Sequence, residues 1–112
     1  MTLTHSEPFH FMEFRHGPMS MVTSETAIVG LLSEENRAQE KAVLDEMAIL
    51  GGKILSVAET NADITFESGV LEPGRGVLYL PALQLMAFYR SVAKGLNPDS
   101  PNNLSTVVRL VL

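Results

Sequence analysis

Thr26-Ala-Ile-Val-Gly-Leu-Leu32, then Ser33-Glu-Glu-Asn36, then after a double glycine Lys53-Ile-Leu-Ser-Val-Ala58: this stretch decides the fold. The first run is short, continuously apolar and stopped by acids, the pattern of a strand buried on both faces. Ser33 is a good N-cap, and Glu34, Glu35 and Asn36 suit a first helical turn, where the helix dipole favours acids. Apolar residues then recur at Ala42, Val43, Met47 and Leu50 at helical spacing, and Gly51-Gly52 ends the helix. Arg37, Glu40, Lys41 and Asp45 fill the remaining face with mixed signs, as a solvated helix surface does. Lys53–Ala58 is apolar and β-branched, Glu59–Asp63 is a polar break, and Ile64-Thr65-Phe66 is a short further strand. Strand, helix, strand is a βαβ unit. Its right-handed crossover makes the first two strands parallel and predicts a three-layer α/β sheet with helices on its faces.

Downstream, Ser68–Gly76 is a connection rich in Gly, Pro and Glu, and Val77–Gly95 returns to helical composition. Leu80, Leu83, Leu85, Met86, Phe88, Tyr89 and Val92 cannot all face one sheet, so part of this helix is expected to pack on something outside the chain. Pro81 is expected either to kink it or to begin its second segment. Asn97–Leu104 reads as an irregular tail and Val107–Leu112 as a last strand. The chain has 112 residues, 46% of them hydrophobic, enough for one small domain. With 8 Lys and Arg against 13 Asp and Glu, and no basic cluster, nucleic acid is excluded as a partner. No cysteine is present, which removes disulfides, thiolate metal sites and thiol nucleophiles and fits a reducing cytoplasm. Gly76–Tyr89, the longest uncharged apolar stretch, is shorter than the roughly 20 residues a membrane span needs. With no signal-peptide pattern at the start, a soluble cytoplasmic protein away from membranes is expected.

The histidines, His5, His10 and His16, all lie near the start, interleaved with Glu7 and Glu13. Their spacing does not put two imidazoles on one helical face, and Pro8 and Gly17-Pro18 interrupt the segment, so no metal site is expected. Glu13 and His16 lie three apart. On one helical turn a carboxylate and a near-neutral imidazole can face the same cleft and move a proton either way, or the histidine can simply close the helix. His16-Gly17-Pro18 sets a permissive residue before a φ-locked one, which turns the chain abruptly after the imidazole. There is no Gly-x-Ser-x-Gly turn and no Walker or dinucleotide fingerprint. Gly74-Arg75-Gly76 supplies only part of one and reads as a loop.

His5-Ser-Glu-Pro-Phe-His-Phe-Met-Glu-Phe-Arg-His-Gly-Pro18 resembles the E-x-x-H-G-P element of the sugar isomerase (SIS) family, in its second SIS half. Leu80-Pro-Ala-Leu-Gln-Leu-Met-Ala-Phe-Tyr89 is similar to the family's proline-led helix, and Asp99-Ser-Pro-Asn-Asn-Leu104 to its D-x-P-x-N-L tail. The resemblance runs in order from about Met1 to the C-terminus. It implies a flavodoxin-like parallel sheet, here as a single partial SIS domain over 1–112: a His-Gly-Pro segment (1–25), the βαβ unit and edge strand (26–76), and the helix and tail (77–112). It implies a phosphosugar-binding module, with no cofactor, of enzymes that interconvert aldose and ketose phosphates, aminate them or remove their amines. In the family's glucosamine 6-phosphate-forming synthases, the histidine of the element assists ring opening and reaches the neighbouring subunit's site. His16 occupies that position, with Glu13 beside it as the second catalytic candidate.

Two departures qualify what the resemblance implies. The synthases carry a Schiff-base lysine two residues after the N-L pair, where this chain has Thr106 after Ser105, and a hydroxyl cannot form that imine. The synthase activity is therefore disfavoured relative to isomerases and amino-sugar deaminases or deglycases, with Ser105 and Thr106 left to offer backbone contacts to a sugar phosphate. The family's Ser/Thr-rich phosphate loop and its acid/base glutamate correspond to positions before Met1. The expectation is thus of a module catalytically incomplete alone, working as a homodimer or paired with a missing SIS half. The alternatives are a non-catalytic phosphosugar-sensing module and a truncated reading frame.

Overall fold

The computed structural model describes residues 4–97 and Asp99. These fall into two compact units, Glu7–Tyr79 and a second made of residues 4–6 with 80–97 and Asp99. In order, the elements are α1 (Phe11–Arg15), a 3₁₀ turn (Pro18–Met21), β1 (Ala27–Leu31), α2 (Arg37–Ile49), β2 (Lys53–Ala58), β3 (Ile64–Thr65), a 3₁₀ turn (Glu72–Gly74) and α3 (Gly76–Ala93).

The three strands form one sheet in the order β1-β2-β3, and both pairings are parallel. Ile28 pairs with Ile54 and Gly30 with Ser56. Because side chains alternate along a strand, Ile28, Gly30 and Leu32 share a face with Ile54, Ser56 and Ala58. That face meets α2. Val43, Leu44 and Met47, the buried residues of α2, join Val22, Leu32 and Ala58 in clusters that include Ile28 and Ile54. Each such side chain contributes about 1.5–3 kcal/mol when fully buried, so α2 is held by its apolar stripe. Closeness is set at Gly30, where a Cβ would lie 2.6 Å from Leu44 Cδ1. This is the parallel α/β architecture predicted from the two apolar runs, and it forms part of a flavodoxin-like arrangement.

Where α2 begins differs from expectation. Ser33 is not its N-cap: the helix starts at Arg37 after Asn36, which makes no side-chain cap. Glu40 is the reason. Its carboxylate accepts from the Ser33 N–H at 2.7 Å and from Ser33 Oγ at 2.9 Å, while Ser33 Oγ accepts from the Asn36 N–H at 3.1 Å. The Ser33–Asn36 segment is therefore a separate turn ahead of the helix. The helix ends as the double glycine predicts: Gly51 has φ +99°, and the Gly52 N–H donates to the Met47 carbonyl at 3.0 Å, a left-handed cap that glycine adopts most cheaply.

α3 runs through Pro81 as one helix, so no second segment begins there. Val77, Leu80, Leu85, Phe88, Tyr89 and Val92 are exposed, as its all-round apolar sequence leads one to expect. Most of the predicted tail and the predicted strand Val107–Leu112 lie outside the described residues. Among the described residues no helix is long and apolar enough to cross a membrane.

Candidate functional site

Glu13 and His16 lie where the spacing put them, on one turn. α1 is five residues long with His16 as its C-cap, and the His16 N–H donates to the Glu13 carbonyl at 3.2 Å. Pro18 opens a 3₁₀ turn directly after Gly17, so the chain changes direction just beyond the imidazole. Both side chains are exposed. The turn itself is anchored: Phe11 and Phe14 pack on the Val22, Val43 and Met47 cluster, the tilted rings of Phe9 and Phe14 meet with centroids 5.3 Å apart, and Arg15 pairs with Glu46 at 2.7 Å. The arrangement offers an imidazole to solvent, on a fixed backbone, with a carboxylate one turn behind it. Among the described residues no group of three His, Cys, Asp or Glu side chains could hold a metal ion.

Sequence reasoning missed a second cluster, at the carboxyl ends of the strands. Glu59 follows β2 and is buried, as is Arg75, 16 positions on. Arg75 Nε lies 3.3 Å from Glu59 Oε2 and donates to the Val70 carbonyl at 2.6 Å, and Arg75 Nη2 reaches Glu34 at 2.9 Å. Glu59 also accepts from Ser68 Oγ at 2.9 Å and from the Gly69 N–H at 2.7 Å. Burial pushes the Glu59 carboxyl up, but these donors and Arg75 together hold it below the ordinary glutamate value. It is an ionised anchor, unsuited to accept a proton at neutral pH. Asp63, exposed just before β3, ties back to β2. Its carboxylate accepts from the Ser56 N–H and hydroxyl, both at 2.8 Å, and these bonds hold its carboxyl low. Tyr79 donates its hydroxyl to the Leu32 carbonyl at 3.2 Å, and burial pushes its phenol up.

A residue in the polar break after an apolar strand was the signal available for Glu59. Its partner could not be read, because Gly74-Arg75-Gly76 looks like any loop. Between α2, β2 and the loop before β3, a shallow groove of about 430 Å³ is lined by Lys41, Asp45, Ser56, Asn61 and Asp63 with Leu32, Leu44 and Ile54; Asp63 is already committed to Ser56. Ser105 and Thr106 lie outside the described residues.

The structure does not bring the two clusters together. In a βαβ crossover the helix runs antiparallel to the strands, so the Glu46 end of α2, where Arg15 docks, lies at the amino ends of the strands, whereas Glu59 and Arg75 lie at the carboxyl ends.

No family model matches the chain. It is similar to glutamine–fructose-6-phosphate aminotransferases [isomerizing] from Buchnera aphidicola (30% identical over 115 residues, 96% of this chain), Sulfolobus acidocaldarius (34% over 110 residues, 93%) and Pseudomonas putida (27% over 113 residues, 93%). The chain spans about one fifth of the length of these relatives, 18–19%. Those enzymes carry SIS domains, and the His-Gly-Pro element, the parallel sheet and the proline-containing helix all lie within the matched span, so this chain is a relative of their SIS isomerase region.

Proposed function

We propose that the chain is the phosphosugar-binding module of an SIS-type aldose–ketose phosphosugar isomerase or amino-sugar deaminase or deglycase, one that needs a further SIS part to turn over. The observation that supports this is His16, held on an anchored turn and open to solvent, in a chain similar to aminotransferases that take their name from fructose 6-phosphate. Opening a cyclic sugar requires a proton to leave the anomeric hydroxyl and another to reach the ring oxygen. An imidazole can do both in turn, and Glu13 one turn away can orient it or share the proton. Thr106 carries no amine, so no imine with a ketose forms at that position. Ser105 and Thr106 contribute backbone contacts to the sugar phosphate. Pairing is with a second copy or another SIS half, and the setting is the cytoplasm.

The test is titration of the purified chain with fructose 6-phosphate, followed by His16 resonances and by an isomerisation assay. Weak binding that perturbs His16, with no turnover, is expected. Turnover that vanishes in His16→Ala overturns the incompleteness, and absence of any sugar-phosphate-specific perturbation overturns the phosphosugar reading. Binding unaffected by His16→Ala favours a sensor without catalysis.

A further inference from the structure

Open parallel sheets take ligands outside the carboxyl ends of their strands, where loop N–H groups and helix N-termini face outward. In this chain that edge is occupied by the chain itself. The Ser33 N–H and hydroxyl go to Glu40, the Glu34 N–H to Glu72 at 3.0 Å, and the Ser68 hydroxyl and Gly69 N–H to Glu59. The Arg75 guanidinium is spent on Glu34, Glu59 and the Val70 carbonyl. Arg37 ties the neighbouring loops in the same way, donating to the Ser33 and Thr60 carbonyls. These donors are thus engaged, several of them by carboxylates that would repel an incoming phosphate.

We infer that Ser68–Arg75 is a strap latched across the carboxyl edge by the buried Glu59–Arg75 pair, an autoinhibitory contact that closes this edge to phosphate esters. The latch stands on the contacts alone. Its consequence, that the sugar phosphate of the proposed function is held away from this edge, rests on that proposal.

Two measurements test it. Amide hydrogen exchange compares wild type with Glu59→Gln, and with Arg75→Lys, which keeps the charge but loses the Nε geometry. Exchange of the Gly69, Gly74 and Arg75 amides is expected to rise about tenfold or more in both variants, with Val29 and Leu55 in the strands unchanged, because the strap opens as a unit smaller than the whole. Strap amides that are already unprotected in wild type, or strand amides that accelerate in parallel, overturn the latch; the milder Arg75→Lys decides should Glu59→Gln fail to fold. In the second measurement wild type is titrated with inorganic phosphate and with fructose 6-phosphate. The Ser33, Glu34 and Gly69 amide resonances are expected to stay fixed with both, and movement of these with either overturns the closure. Fructose 6-phosphate shifts confined to the His16 region support both ideas. No shifts anywhere would sink the phosphosugar proposal and leave the latch standing.

Discussion

Gly30→Ala is the sharpest probe of how α2 sits on β1. In an ordinary strand, replacing glycine with alanine stabilises by about 0.5–1 kcal/mol, since the unfolded chain loses freedom. Here the new methyl would lie 2.6 Å and 2.9 Å from the Leu44 methyls and 3.3 Å from its Cγ. Carbon atoms prefer about 3.5–4.0 Å, so Leu44 would have to retreat by roughly 1 Å. Leu44 is 5% exposed and clustered with Leu32 and Ala58, which leaves it little room. Overpacking of this kind costs about 1–3 kcal/mol, enough to reverse the sign. Leu44→Ala alone should cost about 2–5 kcal/mol through its cavity. Together the two are expected to cost less than their sum by about 1 kcal/mol or more, because the Gly30→Ala methyl enters the space Leu44 vacates. Urea unfolding of the four proteins, read at constant m, measures the cycle. A stabilising Gly30→Ala, or strictly additive costs, would refute the close approach of α2 to β1.

Gly51, at φ +99° with its would-be Cβ 3.4 Å from the Ser24 backbone nitrogen, should lose about 1–2 kcal/mol of stability as Gly51→Ala; an unchanged urea midpoint would show that the left-handed cap is not needed. Acid should unlatch the carboxyl edge. Glu59 and Asp63 have folded pKa values below their ordinary 4.5 and 3.8, so each adds stability at pH above those ordinary values that is lost as pH falls through the folded ones. The urea midpoint is therefore expected to drop as pH falls below about 4.5, more steeply in wild type than in Glu59→Gln or Asp63→Asn, and parallel slopes would contradict it.

The βαβ unit was legible because its evidence is local. Two continuous apolar runs and a glycine stop fix β1, β2 and the end of α2 to within a residue. What was not legible depends on partners distant in sequence. Ser33 is a sound N-cap on composition, yet Glu40 captures its N–H and hydroxyl and the helix begins four residues later. Arg75 sits between two glycines, and only the folded chain shows it against Glu59 and Glu34. The Glu13–His16 turn lies between these cases. Its helical geometry was readable from a spacing of three and a following Gly-Pro, while its anchor, Arg15 on Glu46 across 31 positions, was not.

That anchor also constrains the chemistry. Glu46 lies nine positions beyond Arg37 along α2, a separation of roughly 14 Å at 1.5 Å per residue, so Arg15 docks about that far from the turn latched by Arg37 and Arg75. A general base must come within about 3 Å of the proton it takes. Glu59 therefore cannot exchange a proton with His16 of its own chain, and as an ionised, hydrogen-bonded carboxylate it has little tendency to accept one. Within the unit Glu7–Tyr79, Glu13 is the carboxylate one turn from the imidazole, and the adjacent cation, Arg15, is already paired with Glu46. A sugar phosphate opened by His16 would thus meet an imidazole and a carboxylate with no free guanidinium beside them. Its phosphate would need donors from another SIS segment or a second copy. Ring opening by this module should accordingly rise with the concentration of whatever supplies them, and a rate proportional to this chain alone would break that chain of reasoning.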